Sequence, residues 1–271
     1  MFRDRLNYFL LQFKLGLQNR QAHIVLVVAL VAIHLLGAIV KSFSGLFVLD
    51  PNAVSNFYEH YFAFPSNPNH YIITPWSILT SLLLHRDFGH LFGNAIIIYF
   101  FGQMLENLLG KKQLWQIFFI GGAMGNLLYM AAIHTFPIFN GMELTSSIMG
   151  ASGGAFAIMI ALVTLSPNYT VSLFGVIPIK VKWIALFFVV TELLRVSDGN
   201  AGGHFAHFGG MALGFLFVKY VKEGFSFTKF SSSKTKKKSS FKVTINKDYK
   251  ESKEQINQDE VDAILNKIAS S

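Results

Sequence analysis

Cysteine is absent from the 271-residue sequence, which excludes disulfides and thiolate metal sites. Charge is scarce too. Asp, Glu, Lys and Arg make up 14% of residues against 52% hydrophobic, so a large water-soluble core is the wrong class. No His-Glu-x-x-His run occurs and no pair of aspartates falls within the apolar runs, which argues against zinc-peptidase and paired-aspartate chemistry. Internal repeats of the kind that build transporters from matching halves are also missing. The first long apolar run lacks a small-residue cleavage site and reads as a retained anchor.

What the sequence has is phenylalanine, 28 of them, and long apolar runs that recur as far as residue 222. The reading is an all-α, polytopic membrane protein. Residues 1–21 place Phe2, Leu6, Phe9, Leu10, Phe13 and Leu17 at helical spacing among Arg3, Arg5, Lys14 and Arg20, as in a helix lying on an anionic membrane surface. Six spans are expected in residues 22–222: Ala22 to Val40, Gly89 to Leu109, Leu114 to Ile133, Ala151 to Leu165, Trp183 to Val196 and Gly203 to Tyr220. Residues 42–88, rich in aromatics and proline, form a long connection in the headgroup zone. The net charge of +8 is uneven, crowding the N-terminus, two short loops and the tail, so nucleic acid is not the partner. Loop 134–149 has neither Lys nor Arg, and the positive-inside rule then puts both termini in the cytoplasm. Residues 223–271 are expected to be a basic cytoplasmic tail ending in a short helix, Asp259 to Ile268.

The chain is organised around Gly150-Ala151-Ser152-Gly153-Gly154, which opens the short fourth segment. About fifteen helical residues rise about 22 Å, less than the ~30 Å hydrocarbon core. If that helix starts inside the membrane, Ser152 stands at an N-terminus whose free N–H groups favour developing negative charge. The competing reading is a small-residue seam for helix packing.

Depth separates the two. Spans two, four and six run in one direction, and at 1.5 Å per residue Ser152 lies about 21 Å above Ser166, His207 about 18 Å above Lys219 and Asn94 about 25 Å above Lys111. Polar side chains at one such depth are expensive and usually functional. A serine hydroxyl needs a base, and His207 can serve. An oxyanion needs donors, and the N–H of Ser152, the Asn94 amide and the His90 imidazole can supply them; His90 and Asn94, four apart, share a helix face. No third acid is required if packing orients the base. Phe156, one turn after Ser152, can stack on His207, while Gly209, Gly210 and Gly214 let the sixth span approach Gly153, Ala157 and Ala161.

The segments Gly150-Ala151-Ser152-Gly153, His90-Leu91-Phe92-Gly93-Asn94 and Ala206-His207-Phe208-Gly209-Gly210-Met211-Ala212-Leu213-Gly214 resemble, in order and in position, the three signature motifs of rhomboid intramembrane serine proteases. The resemblance covers roughly residues 70 to 222. It implies a six-helix bundle with a Ser–His dyad, Ser152 as nucleophile and His207 as base. His90, Asn94 and the Ser152 N–H would form the oxyanion hole, with Gly150, Gly153, Phe156, Gly210 and Gly214 in support and Glu106 at a structural position. Two departures stand out: Phe156 where the family often has Tyr, and Trp76-Ser77 where it often has Trp-Arg. His85 and His204 are extra histidines near the mouth.

The expected activity is a serine endopeptidase cutting transmembrane segments of membrane-protein substrates, without metal or cofactor. The expected surroundings are a lipid bilayer, the bacterial inner membrane. Self-association has no signature in the sequence. The alternative is an inactive relative that binds membrane proteins; such proteins typically lose the serine or the histidine, and both are present here. A channel or transporter, whose pathway intramembrane His and Ser can also line, is the remaining reading.

Overall fold

A run of Leu, Ile, Ala and Phe without interior proline can satisfy its backbone groups within itself in an apolar medium only as helix. A computed structural model describes residues 2–47, 52–173, 177–197 and 202–222 and is mostly helical; the expected tail and its short helix lie outside the described residues. The helices are α1 (Phe2–Gln18), α2 (Ala22–Ser44), α3 (Ala53–Phe62), α4 (Pro68–Ile73), α5 (Ser77–Thr80), α6 (Phe88–Leu109), α7 (Lys111–Thr135), α8 (Ser152–Leu165), α9 (Val181–Leu194) and α10 (Gly203–Lys222). Among the described residues, α2, α6 and α7 are long and apolar enough to cross a membrane. The 14 residues of α8 rise only about 21 Å.

Several ends differ from expectation. Helix α2 continues past Val40 to Ser44, α7 begins at Lys111 rather than Leu114, and α9 starts two residues before Trp183. Hydropathy marks where a helix is apolar, whereas the backbone hydrogen bonds continue through the polar residues that flank it. Among its described residues, the 42–88 connection holds three short α-helices, one 3-10 turn (Ser81–Leu83) and a strand. Strand β1 (Phe64–Pro65) pairs antiparallel with β2 (Ser147–Ile148), tying this connection to the turn before α8. In the 166–182 loop, β3 (Thr170–Leu173) pairs antiparallel with β4 (Ile177–Lys180).

Helix α8 forms the centre. Its residues from Ser152 to Met159 are all buried, and α10, α7 and α6 pack around it. Helix α9 instead exposes Leu186, Phe187, Leu193 and Leu194 on its outer side. The approach of α10 to α8 is backbone against backbone. A Cβ on Gly210 would collide with the Gly153 carbonyl, and one on Gly214 with the Ala157 carbonyl. Helix α7 joins this seam through Gly121, opposite Ala157, and Gly125, whose Cβ would lie 2.5 Å from the Ala206 oxygen.

A second fixture is ionic. Glu106 of α6 accepts from the N–H of Ala22 at 2.9 Å and of His23 at 3.0 Å, and lies 2.6 Å from the His23 Nδ1. One carboxylate thus satisfies two orphan donors of α2 and places negative charge at its positive end. This is the physical content of the structural position that the resemblance gives Glu106.

The glycine seam predicts an asymmetry. Gly210→Ala and Gly214→Ala each push the two helices apart and should destabilise by about 1–3 kcal/mol. Nothing lies within 4 Å of a Cβ on Gly93. Gly93→Ala should therefore be neutral or stabilising by up to about 1 kcal/mol. Thermal unfolding in one detergent, the three variants side by side, checks this.

Candidate active site

Ser152 is the first residue of α8, with Ala151 as its N-cap and no side chain capping the end. The turn before it is held from two sides. The Gly150 N–H donates to the Ser81 carbonyl at 2.9 Å, and Ser81 Oγ in turn accepts from the Asn126 amide of α7 at 2.9 Å. Gly150 has φ +146°, and a Cβ there would strike the His90 ring at 2.5 Å. Only glycine suits both the backbone and the space.

Across the seam, His207 Nε2 lies 2.8 Å from Ser152 Oγ, and Phe156 stacks on the His207 ring with centroids 4.6 Å apart and planes 28° from parallel. Ser152 is 8% exposed. The opposite nitrogen of the ring, Nδ1, lies 2.6 Å from Oε2 of Glu192 on α9. The same oxygen lies 2.6 Å from Nδ1 of His204. A carboxylate oxygen is an acceptor, so each Nδ1 donates, and in the neutral imidazole Nε2 is then the nitrogen with the lone pair. For His207 that lone pair faces the serine hydroxyl, the tautomer a general base requires.

The other side of the site is built from α6 and the turn before it. Asp87 caps α6 by accepting from the His90 N–H at 2.8 Å. Asn94 is buried and its amide donates to His85 Nε2 at 2.9 Å; the Ala151 N–H donates to the same nitrogen at 3.2 Å. The His85 and His90 rings meet edge to face at 5.1 Å. Burial lowers the His85 pKa from 6.5 to about 3, so it stays neutral at physiological pH, with the lone pair on Nε2 shared between the two donors.

The chain also matches the family model of the rhomboid domain over residues 74–223. It belongs to the rhomboid family. It is 29% identical over 159 residues to RHOMBOID-like protein 12, mitochondrial, of Arabidopsis thaliana, covering 55% of this chain and 47% of that one. It is 26% identical over 162 residues to Rhomboid protein 1, mitochondrial, of Saccharomyces cerevisiae, covering 56% and 44%. A shorter match, 36% over 52 residues, covering 19% of this chain and 26% of the other, is to the Bacillus subtilis protein YdcA. The rhomboid chain thus spans about half the length of the two curated relatives it matches over more than 150 residues. Those two carry mitochondrial names, so the expected bacterial inner membrane finds no support from them; what stands is a multi-pass membrane protein.

Sequence reasoning brought Ser152, His207 and Phe156 to one place in this rhomboid, and the structure puts their side chains in contact. It set Asn94 and His90 on one face, and both meet His85, one of the extra histidines near the mouth. It missed Glu192, having required no acid. The signal was available: Glu192 is the one acidic residue in the apolar run from Trp183 to Leu194, and ionisable groups in such runs are rare.

His85 generates a pH prediction. Its folded pKa is about 3 against 6.5 for the free group. The unfolded chain therefore binds more protons between those values, and stability falls as pH drops through that window. His85→Asn, which keeps a neutral acceptor, should flatten this part of the stability–pH curve, as read by thermal unfolding in detergent from pH 7 to about 4.

Proposed function

We propose that the chain is an intramembrane serine endopeptidase that hydrolyses peptide bonds in or near the transmembrane segments of membrane-protein substrates. The observation that carries this is the 2.8 Å contact between Ser152 Oγ and His207 Nε2 at the open N-terminus of a buried helix. In this reading Ser152 Oγ attacks the scissile carbonyl and His207 Nε2 takes its proton. The tetrahedral oxyanion accepts hydrogen bonds from the Ser152 N–H and from the side chains of Asn94 and His90. His207 then donates its proton to the leaving amine as the C–N bond breaks, and water hydrolyses the acyl-serine by the same steps. Since Asn94 donates to His85 at rest, stabilising the oxyanion entails exchanging that acceptor for the substrate oxygen.

The topology proposed with it has six spans, α2 and α6 to α10, with residues 1–21 and 223–271 on the cytoplasmic side of a lipid bilayer. The basic residues favour this arrangement: Lys111, Lys180, Lys182 and Lys219 then share one side. Neither metal nor cofactor is needed. An inactive, substrate-binding relative is the second reading, and the retained Ser–His contact speaks against it.

A serine-directed fluorophosphonate probe tests the proposal. Wild type should label and cleave a transmembrane substrate; Ser152→Ala and His207→Ala should do neither while unfolding at the native temperature. Asn94→Ala should lower kcat on the order of 10²-fold with KM little changed, because the other donors remain. Absence of labelling in folded wild type would favour the inactive reading.

A further inference from the structure

Glu192 is a carboxylate in a helix that otherwise turns apolar side chains outward. Its side chain is only 13% exposed. A buried acid costs several kcal/mol unless its oxygens are bonded. Here one oxygen, Oε2, meets two imidazoles at 2.6 Å each, on the Nδ1 of His204 and of His207. These three groups could be taken for a metal site. Yet two donors on a tetrahedral ion at about 2.1 Å stand roughly 3.4 Å apart, whereas 2.6 Å is a hydrogen-bond distance, at the short limit for an N–H on a carboxylate. As placed, both histidines are hydrogen-bonded to the one carboxylate.

We propose that Glu192 is a positioning residue for the base: it holds His207 in the Nδ1–H tautomer that leaves Nε2 open to Ser152, and its negative charge balances the imidazolium formed when His207 takes the serine proton. The proposal rests on the Ser152–His207 reading. The Phe156 ring fixes the plane of the imidazole but leaves open which nitrogen bears the proton. An acceptor on Nδ1 decides that, and a charged acceptor also lowers the energy of the protonated ring in a medium of low dielectric. In soluble serine proteases a buried aspartate does both tasks, and its loss with retained geometry lowers kcat about 10⁴-fold. The loss here should be smaller, because stacking and the serine contact still orient the ring. His204 is a second donor to the same oxygen, so it fixes the carboxylate rather than the base.

The test uses the full chain in detergent with a fluorogenic transmembrane substrate, comparing wild type, Ser152→Ala, Glu192→Gln, Glu192→Ala and His204→Ala. Glu192→Gln keeps an acceptor oxygen and removes the charge; kcat should fall about 10- to 10²-fold with KM within about twofold and unfolding close to native. Glu192→Ala removes acceptor and charge, and should fall about 10²- to 10³-fold, so that Gln partly rescues Ala. His204→Ala leaves the Glu192–His207 bond in place and should keep kcat within about tenfold. Wild-type kcat in folded Glu192→Gln, or a loss confined to KM, would overturn the positioning role while Ser152→Ala stays inactive. Wild-type turnover in Ser152→Ala would instead overturn the nucleophile, and this inference with it.

Discussion

The structure depends on how closely two backbones approach. Along α8 and α10 the carbonyls of Gly153 and Ala157 occupy the space where side chains at Gly210 and Gly214 would be. Dispersion and short-range packing, rather than water exclusion, hold helices together in lipid, and both fall away steeply with separation. The same separation sets the reach of a hydrogen bond. His207 lies one turn before Met211 on α10, and Ser152 begins α8; an extra Cβ at Gly210 would widen the gap where Nε2 and Oγ now stand 2.8 Å apart. Glycine in mid-helix lowers helix propensity by about 1 kcal/mol, and the gain from close packing has to offset that.

Two acids add polar ties between helices. Glu106 acts at the C-terminal end of α6, where it takes the first N–H groups of α2 and the His23 ring. Glu192 acts across α9 and α10 on His204 and His207. In both cases a carboxylate meets an imidazole Nδ1 at 2.6 Å. Their settings differ in what the other ring nitrogen can reach. His23 Nε2 is buried with no partner among the described residues, so that pair joins two helices and goes no further. His207 Nε2 points at a hydroxyl, so a proton arriving there is felt by the acid behind it.

Much of this was legible in the sequence because the features repeat with a physical period. Apolar runs gave the helices, and the four-residue spacings of His90 and Asn94 and of Gly210 and Gly214 gave shared faces. The Phe156–Ser152 spacing placed an aromatic one turn along the same helix. Three things escaped for a common reason: each is a contact between elements with no fixed sequence offset. Glu192 reaches His207 from a different helix. His85 lies in the turn before α6, and its acceptor role exists only once Ala151 has been brought to it. The pairing of Phe64–Pro65 with Ser147–Ile148 joins two loops more than eighty residues apart.

The small-residue stretch at 150–154 poses two readings of the sequence as rivals, a packing seam or a site of chemistry. Under the proposed function they become one. Gly153 offers its carbonyl to the face of Gly210, and Gly154 would carry a Cβ into Phe118, so this end of α8 is packed as tightly as any seam. Gly150 gives the backbone the positive φ that turns the chain into α8 beneath the His90 ring. Ser152, the one residue of the five with a polar side chain, is thereby left with its hydroxyl toward His207 and its N–H at the unpaired end of the helix. The first N–H groups of a helix have no partner within it, and among the described residues no side chain of the N-cap meets those of α8. A proposed substrate carbonyl, becoming negatively charged as it reacts, is the kind of acceptor such an end lacks. Tight packing and an open helix terminus are therefore two aspects of the same constraint, since only small residues let that terminus come close enough to α10 for the 2.8 Å contact between Ser152 and His207.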